Sequence, residues 1–263
     1  MTATNERPTI AATPVQAIRG VRLLEADPEL GNRLSGDELK RARRHAILAT
    51  VALGPGRWEL GRLRVDDAVS GEVHGFLMLS GVVMSEASIA GRPCVRLVTP
   101  GEIVLFDEPE SSSTSASWGL VVLADARVAV LDDRLLAIAQ RWPRLLSAIL
   151  KRAGQQSQQA LLQQAISQLP RVEDRLLALV WSIADRQGVA RPDGVWVPMT
   201  LSHDTLAQMV GARRPTITLA LRSLTEEGVL HAEKGGWLIA RDSVKLLSPS
   251  SDEPAAGGIG CPT

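Results

Sequence analysis

The sequence predicts an α+β protein with an N-terminal antiparallel β-domain, one long helix and a C-terminal winged helix-turn-helix. Three observations carry this. From about residue 50 to 131, short apolar runs alternate with Gly/Pro turn signals. From about 143 to 168, a single helical pattern runs unbroken. After residue 196 come a helix, a tight Gly turn, a second helix and a hairpin signal.

Composition narrows the function before any motif is read. The 263 residues are 45% hydrophobic and 22% charged, as in a soluble globular chain. Only 3% are aromatic and none is Tyr, so the core must be built from Leu, Val, Ile and Ala. Lys+Arg and Asp+Glu both number 29, so attraction to a polyanion has to come from a local patch rather than from net charge. The opening "MTATNERPTIAATP" has neither the basic nor the apolar region of a signal peptide, and no uncharged apolar run approaches the ~18–20 residues of a membrane span. Cys94 and Cys261 are too few and too far apart for a disulfide framework. These features predict a cytoplasmic protein with no membrane partner.

Both ends, 1–17 and 248–263, are polar and rich in Thr, Pro, Ser or Gly, and are expected to be disordered. Asp27-Pro28 and Ser35 before "GDELKRARR" are helix starts, with a capping residue and, at 28, proline in the first turn. Residues 18–142 form the β-domain. Its strands, "GFLMLSGVVM", "CVRLV", "EIVLF", "GLVVLA" and "RVAVL", suggest a sandwich or barrel, with "PESSSTSAS" (109–117) as an internal polar loop. Residues 143–170 are the long helix. Leu146, Ala153 and Ala160 fall seven apart, beside Ile149 and Leu150, while six glutamines between 155 and 164 dilute the stripe. The stripe serves either for packing on its own domain or as a helix–helix seam, and the five residues named are the expected homodimer interface.

Residues 171–247 form the winged module. "VEDRLLALVWSIADRQG" is a helix closed by Gly188, "VARPDG" a loop and "VWVPM" a short strand. Ser202 caps "HDTLAQMV", Gly211 breaks the chain, and "RPTITLALRSLTEE" is the second helix, stopped at Gly228. "VLHAE-KGG-WLIAR" is a hairpin signal. In such a module the second helix enters the major groove of double-stranded DNA, with its N-terminal residues at base edges. A helix N-terminus already carries partial positive charge, so Arg213 and Arg214 are locally disfavoured there unless something outside rewards them. Both reach phosphate or guanine, and Thr216 and Thr218 offer hydroxyls and methyls. Ile217, Leu221 and Leu224 face inward, against Leu206 and Val210. From 213 to 222 there are three arginines and no acid.

The stretch 196–240, and within it the pattern "LxxxLAxMVGxRRPTxT", resembles the catabolite-activator / fumarate–nitrate regulator (Crp/Fnr) family of bacterial transcription factors. The resemblance implies an N-terminal β-roll of the cyclic-nucleotide-binding kind, a dimerisation helix and a homodimer on a roughly two-fold operator. RNA polymerase is a candidate partner. It places Arg214 where the family's guanine-reading arginine lies, and Ser202, His203 and Arg222 at positions that touch phosphate or nearby DNA. Lys234 at the hairpin tip completes the expected DNA-binding set. Pro215 and Leu219 depart from the family, which has a base-reading Glu and Arg there, so the operator should differ from the best-known one.

The sensor match is weaker. "GFLMLSGVVM" and "RLVTPGEIVLFDE" resemble the β-roll's strand–Gly–strand and its turn. Family members that bind cyclic nucleotides use a Gly-Glu pair followed by Arg-Ser/Thr. Here no Lys or Arg lies between Phe106 and Arg127, and Asp107, Glu108 and Glu110 make the region acidic. A cyclic phosphate needs a cation, so cyclic AMP is not expected to bind in the usual manner. The alternative is a cyclic di-nucleotide held by some of Arg41, Arg43, Arg44, Arg57, Arg62 and Arg64. The effector stays unassigned.

No cofactor or metal is expected. Two cysteines are too few for an iron–sulfur cluster, and the potential haem ligands His45, His74 and Cys94 read as structural or surface residues, Cys94 as core. No enzyme is expected, because no phosphate-binding Gly loop, HExxH or nucleophile elbow is present. The adjacent pairs Asp66-Asp67 and Asp132-Asp133 read as surface turns.

Overall fold

The computed structural model describes residues 16–59, 71–90, 92–105, 116–241 and 243. The chain divides into two compact units, Met1–Leu162 and Gln163–Thr263.

The first unit is built on two antiparallel sheets. The strands are β1 (Gln16–Arg22), β2 (Ile47–Leu53), β3 (Gly56–Glu59), β4 (Gly75–Ser80), β5 (Val83–Ile89), β6 (Arg92–Val98), β7 (Ile103–Leu105), β8 (Ala116–Val122) and β9 (Ala126–Leu131). One sheet has the order β1-β2-β9-β4-β7 and the other β3-β8-β5-β6. Period-two alternation sorts the first sheet's side chains into two cores. Ala49, Val51, Leu53, Phe76, Met78, Val128 and Val130 join Trp58, Val83, Val98, Leu120 and Val122 from the second sheet. Leu48, Leu77, Ala129 and Leu131 point the other way, into a core completed by helices. A sheet covered on both faces reads as unbroken apolar sequence, and "ILATVAL", "GFLML" and "RVAVL" do so.

Those helices are α1 (Leu23–Ala26), α2 (Gly36–His45), α3 (Asp133–Arg141) and the start of α4 (Pro143–Gln168), with a 3₁₀ turn at Pro28–Gly31. They contribute Leu23, Leu24, Leu30, Ala42, Leu135, Ile138, Leu145 and Ile149, beside Trp142. At the start of α2 the Glu38 carboxylate accepts from the Ser35 N–H (3.0 Å) and O–H (2.8 Å). The backbone donor, first, and the hydroxyl lower its pKa. Arg152 on α4 binds both carboxylate oxygens of Asp27 and reaches Glu29 at 3.2 Å, tying the long helix to the α1 junction.

Several expectations change here. Gln16 and Ala17, assigned to a disordered start, pair with Ala52 and Val51 in β1. Asp132 is no surface turn: it is fully buried and caps α3, accepting from the Arg134 N–H at 3.0 Å. Cys94 is exposed rather than core, because strand alternation puts it on the outer face of β6 with Arg96, opposite the buried Val95 and Leu97. Residues 1–15, 109–115 and 248–263, the pair Asp66-Asp67, and Asp107, Glu108, Arg62 and Arg64 lie outside the described residues.

The second unit holds the end of α4, then α5 (Val172–Gln187), β10 (Val189–Arg191), β11 (Gly194–Val197), α6 (His203–Val210), α7 (Arg214–Glu226), β12 (Leu230–Glu233) and β13 (Gly236–Ala240). Its antiparallel sheet runs β10-β11-β13-β12. Residues 189–191, expected as loop, are β10. Arg191 stacks over Trp196 at 4.5 Å and pairs with Glu233 at 2.9 Å, bracing the sheet. Leu176, Leu177, Leu179, Val180 and Ile183 of α5 are buried, as are Leu206, Val210, Ile217, Leu221 and Leu224. The helix-turn-helix therefore has the inward stripe that its spacing predicts. Among the described residues no helix is long and apolar enough to cross a membrane.

Candidate nucleic-acid interface

Local chemistry sets the frame of α6 and α7. The Ser202 hydroxyl accepts from the Thr205 N–H at 3.1 Å, an N-cap that satisfies one orphan donor of α6. Gly211 ends α6 at φ 66°, ψ 39°, where a side chain would be strained, and the Ala212 N–H closes the turn on Ala207 O at 2.9 Å. The chain then starts α7 at Arg214, with Pro215 in the first turn, where its missing N–H costs nothing.

Arg213, Arg214, Pro215, Thr216, Thr218, Leu219 and Arg222 are all exposed, opposite the buried line of α7. No acid stands in that helix's first turn, and the Arg213 side chain caps nothing. Arg214 lies 3.8 Å from Asp204, with both side chains about two-thirds exposed (67% and 64%), so the pair is a surface contact that a stronger anion can displace. Arg222 is held by Glu226 at 2.7 Å, and that hydrogen bond raises its pKa. His203 Nδ1 lies 3.0 Å from Thr218 Oγ1, which donates to the Arg214 carbonyl at 3.2 Å. Ser202 is exposed beside them, and Lys234 is exposed on the hairpin turn, where Gly235 takes φ 82°.

Two positioning residues escaped the sequence reading. Arg175 of α5 donates to Leu169 O at 2.6 Å and Val210 O at 3.3 Å, fixing the end of α6 against the chain that enters α5. Gln163 Nε2 donates to Met209 O at 2.9 Å. Both use long polar side chains on backbone carbonyls, and no motif marks such contacts.

Of the expected interface set on α4, Leu146 and Leu150 (37% and 62% exposed) and Ala160 are exposed, and Ala153 is half-buried. Ile149 is a correction: it is 8% exposed and belongs to the core of its own unit. Helical geometry separates the two faces, since Leu145 and Ile149 share one side while Leu146, Leu150 and Leu161 share another.

The arginines considered for a cyclic di-nucleotide are spread over different elements. Arg41, Arg43 and Arg44 stand exposed on α2, whereas Arg57 on β3 binds Glu86 with two 2.6 Å hydrogen bonds. Glu86 is 4% exposed, so its carboxylate depends on that guanidinium. Among the described residues no cluster of three His, Cys, Asp or Glu side chains suits a metal. His45, His74 and Cys94 lie on α2, before β4 and on β6.

Residues 170–248 match the family model described as the Crp-like helix-turn-helix domain. No curated protein sequence matches the chain. Among solved structures, a mutant of CooA from Carboxydothermus hydrogenoformans aligns over 84% of this chain and 93% of its own, at 17% identity and a TM-score of 0.59. FixK2 from Bradyrhizobium japonicum aligns over 75% and 94%, at 14% identity and 0.56. A CRP/FNR-family transcriptional regulator from Thermus thermophilus aligns over 76% and 98%, at 21% identity and 0.51. These likenesses establish the fold, and the domain match establishes the module. The C-terminal module is thus similar to Crp-like helix-turn-helix domains, and the chain shares the fold of these solved structures.

Proposed function

We propose that the protein works as a homodimer, that α7 of each protomer enters one half of a roughly two-fold operator, and that cyclic AMP is not its signal. The observation that carries the DNA reading is the basic, acid-free N-terminus of α7, exposed opposite a fully buried stripe. Arg214 reads guanine, and each bidentate Arg–guanine pair contributes about 1–3 kcal/mol of discrimination. Arg213, Arg222, Ser202, His203 and Lys234 contact the sugar–phosphate backbone, with Thr216 and Thr218 at the groove edge. Backbone contacts of this kind fix register rather than sequence.

The second copy packs on the exposed side of α4 through Leu146, Leu150, Ala153 and Ala160. Leu161, at 67% exposure, extends the same side and supports this. The reading places the protein with the chromosome in the cytoplasm, gives it no catalytic step, and leaves RNA polymerase as a candidate contact at the promoter.

Fluorescence anisotropy on DNA from upstream of its own gene, at ~150 mM salt because phosphate contacts are salt-dependent, tests the proposal. Sequence-selective binding unchanged by cyclic AMP is expected. Selective binding that appears only with cyclic AMP would overturn the reading of the sensor unit.

A further inference from the structure

We propose that Leu219 reads the C5-methyl group of a thymine and so sets one operator position by an apolar contact. The proposal rests on α7 being the groove helix.

On α7 the buried residues Ile217, Ala220, Leu221 and Leu224 define the inner face. At 100° per residue, the line opposite them runs through Pro215, Leu219, Arg222 and Glu226, spaced four, three and four apart. Leu219 lies at the middle of that line and is 67% exposed. A single exposed leucine on a protein surface is ordinary. Its position at the centre of the groove-facing line of a basic helix is the informative fact.

The polar groups around it are already engaged. Arg222 is drawn toward Glu226 at 2.7 Å. Thr218 Oγ1 donates to Arg214 O and lies 3.0 Å from His203. Pro215 has no donor. The midline that meets the base edges is therefore apolar at two successive turns.

Thymine is the base this surface fits. Its major-groove edge carries a methyl group, whereas guanine and adenine present donors and acceptors there, and cytosine an amino donor beside a bare C5–H. Leucine against any of those three would dehydrate a polar edge and return no hydrogen bond. Against thymine it covers a methyl and loses its own exposure.

Operators are selected from a random duplex pool with the full-length protein. Each thymine of the selected half-site is then replaced symmetrically by deoxyuridine, which removes only the methyl. Wild type should lose about four- to fifteenfold in affinity at one thymine position, the scale of one to two buried methyls across the two half-sites. Leu219→Ala should bind the thymine and uracil duplexes equally, and Leu219→Arg should shift the selected base there to guanine. Both changes are at an exposed position, and a melting curve confirms that each variant is folded. If no thymine shows a methyl effect, or Leu219→Ala retains it, the proposal is overturned while DNA recognition stands. If no operator is selected, or selection survives Arg214→Ala unchanged, the groove-helix reading fails and takes this proposal with it.

Discussion

At Gly211 the backbone adopts φ 66° in open space, with nothing within 4 Å of a built side chain. Gly211→Ala should therefore cost about 1–2 kcal/mol through backbone strain alone, measured as a drop in the denaturant midpoint. Ser202→Ala removes the α6 cap and should cost about 1 kcal/mol on the same measurement. It should also weaken DNA binding slightly, since the hydroxyl is exposed at the proposed interface. On the proposed reading, the neighbours Arg213 and Arg214 have different tasks. Arg213→Ala should lower affinity for all DNA alike and reduce the slope of log affinity against log salt by about two, one for each half-site. Arg214→Ala should instead relax sequence preference. Ser202, Gly211 and Pro215 were legible in the sequence because their chemistry is local: a cap, a left-handed glycine and a first-turn proline each act within four residues. Asp132 and Cys94 were not. The burial of Asp132 follows from where α3 packs, and the exposure of Cys94 from which face of β6 turns outward, and neither is settled until the strand is placed against its core.

Among elements, α4 is the most instructive. Its seven-residue spacing groups Leu146, Ala153 and Ala160 on one side, whereas Ile149, expected with them, is fastened to its own unit with Leu145. The two faces overlap in a periodicity count because both are apolar near the helix start. Arg152 anchors the same stretch. Its pKa is raised, first by its hydrogen bond to Asp27, and Asp27 is 8% exposed. Arg152→Met strands that carboxylate and should cost about 3–5 kcal/mol, the scale for orphaning one partner of a buried pair, read by urea unfolding. At α2, Glu38 has a lowered pKa, first through the Ser35 backbone donor. The contribution of a lowered carboxylate is complete above its unfolded pKa and is lost as pH falls through the folded value. Glu38→Gln should therefore lower stability at neutral pH, where that contribution is present, and flatten the decline on acidification, read from denaturant midpoints across pH. Strands β1 and β10 went unread because "QAIRGVR" and "VAR" carry little apolar alternation; their partners at 47–52 and 194–196 make them strands.

For the whole molecule, the order of β-domain, long helix and winged module was legible from texture alone, since each region has its own period. The two-sheet arrangement was not, because strand order depends on pairings such as β2 with β9 that lie more than seventy residues apart. The proposed dimer uses the exposed side of α4. Leu150→Glu should convert the proposed dimer to monomer in sedimentation and weaken operator binding, because each half-site would then be bound without its twin. The most direct measurement is the ratio of affinity for a selected operator to affinity for scrambled DNA at ~150 mM salt, in wild type and Arg214→Ala. The expected result is a marked preference in wild type that falls in the variant by about 5- to 150-fold for each half-site, equivalent to 1–3 kcal/mol per Arg–guanine pair. Equal affinity of wild type for both DNAs, or a ratio indifferent to Arg214, would contradict sequence recognition by α7.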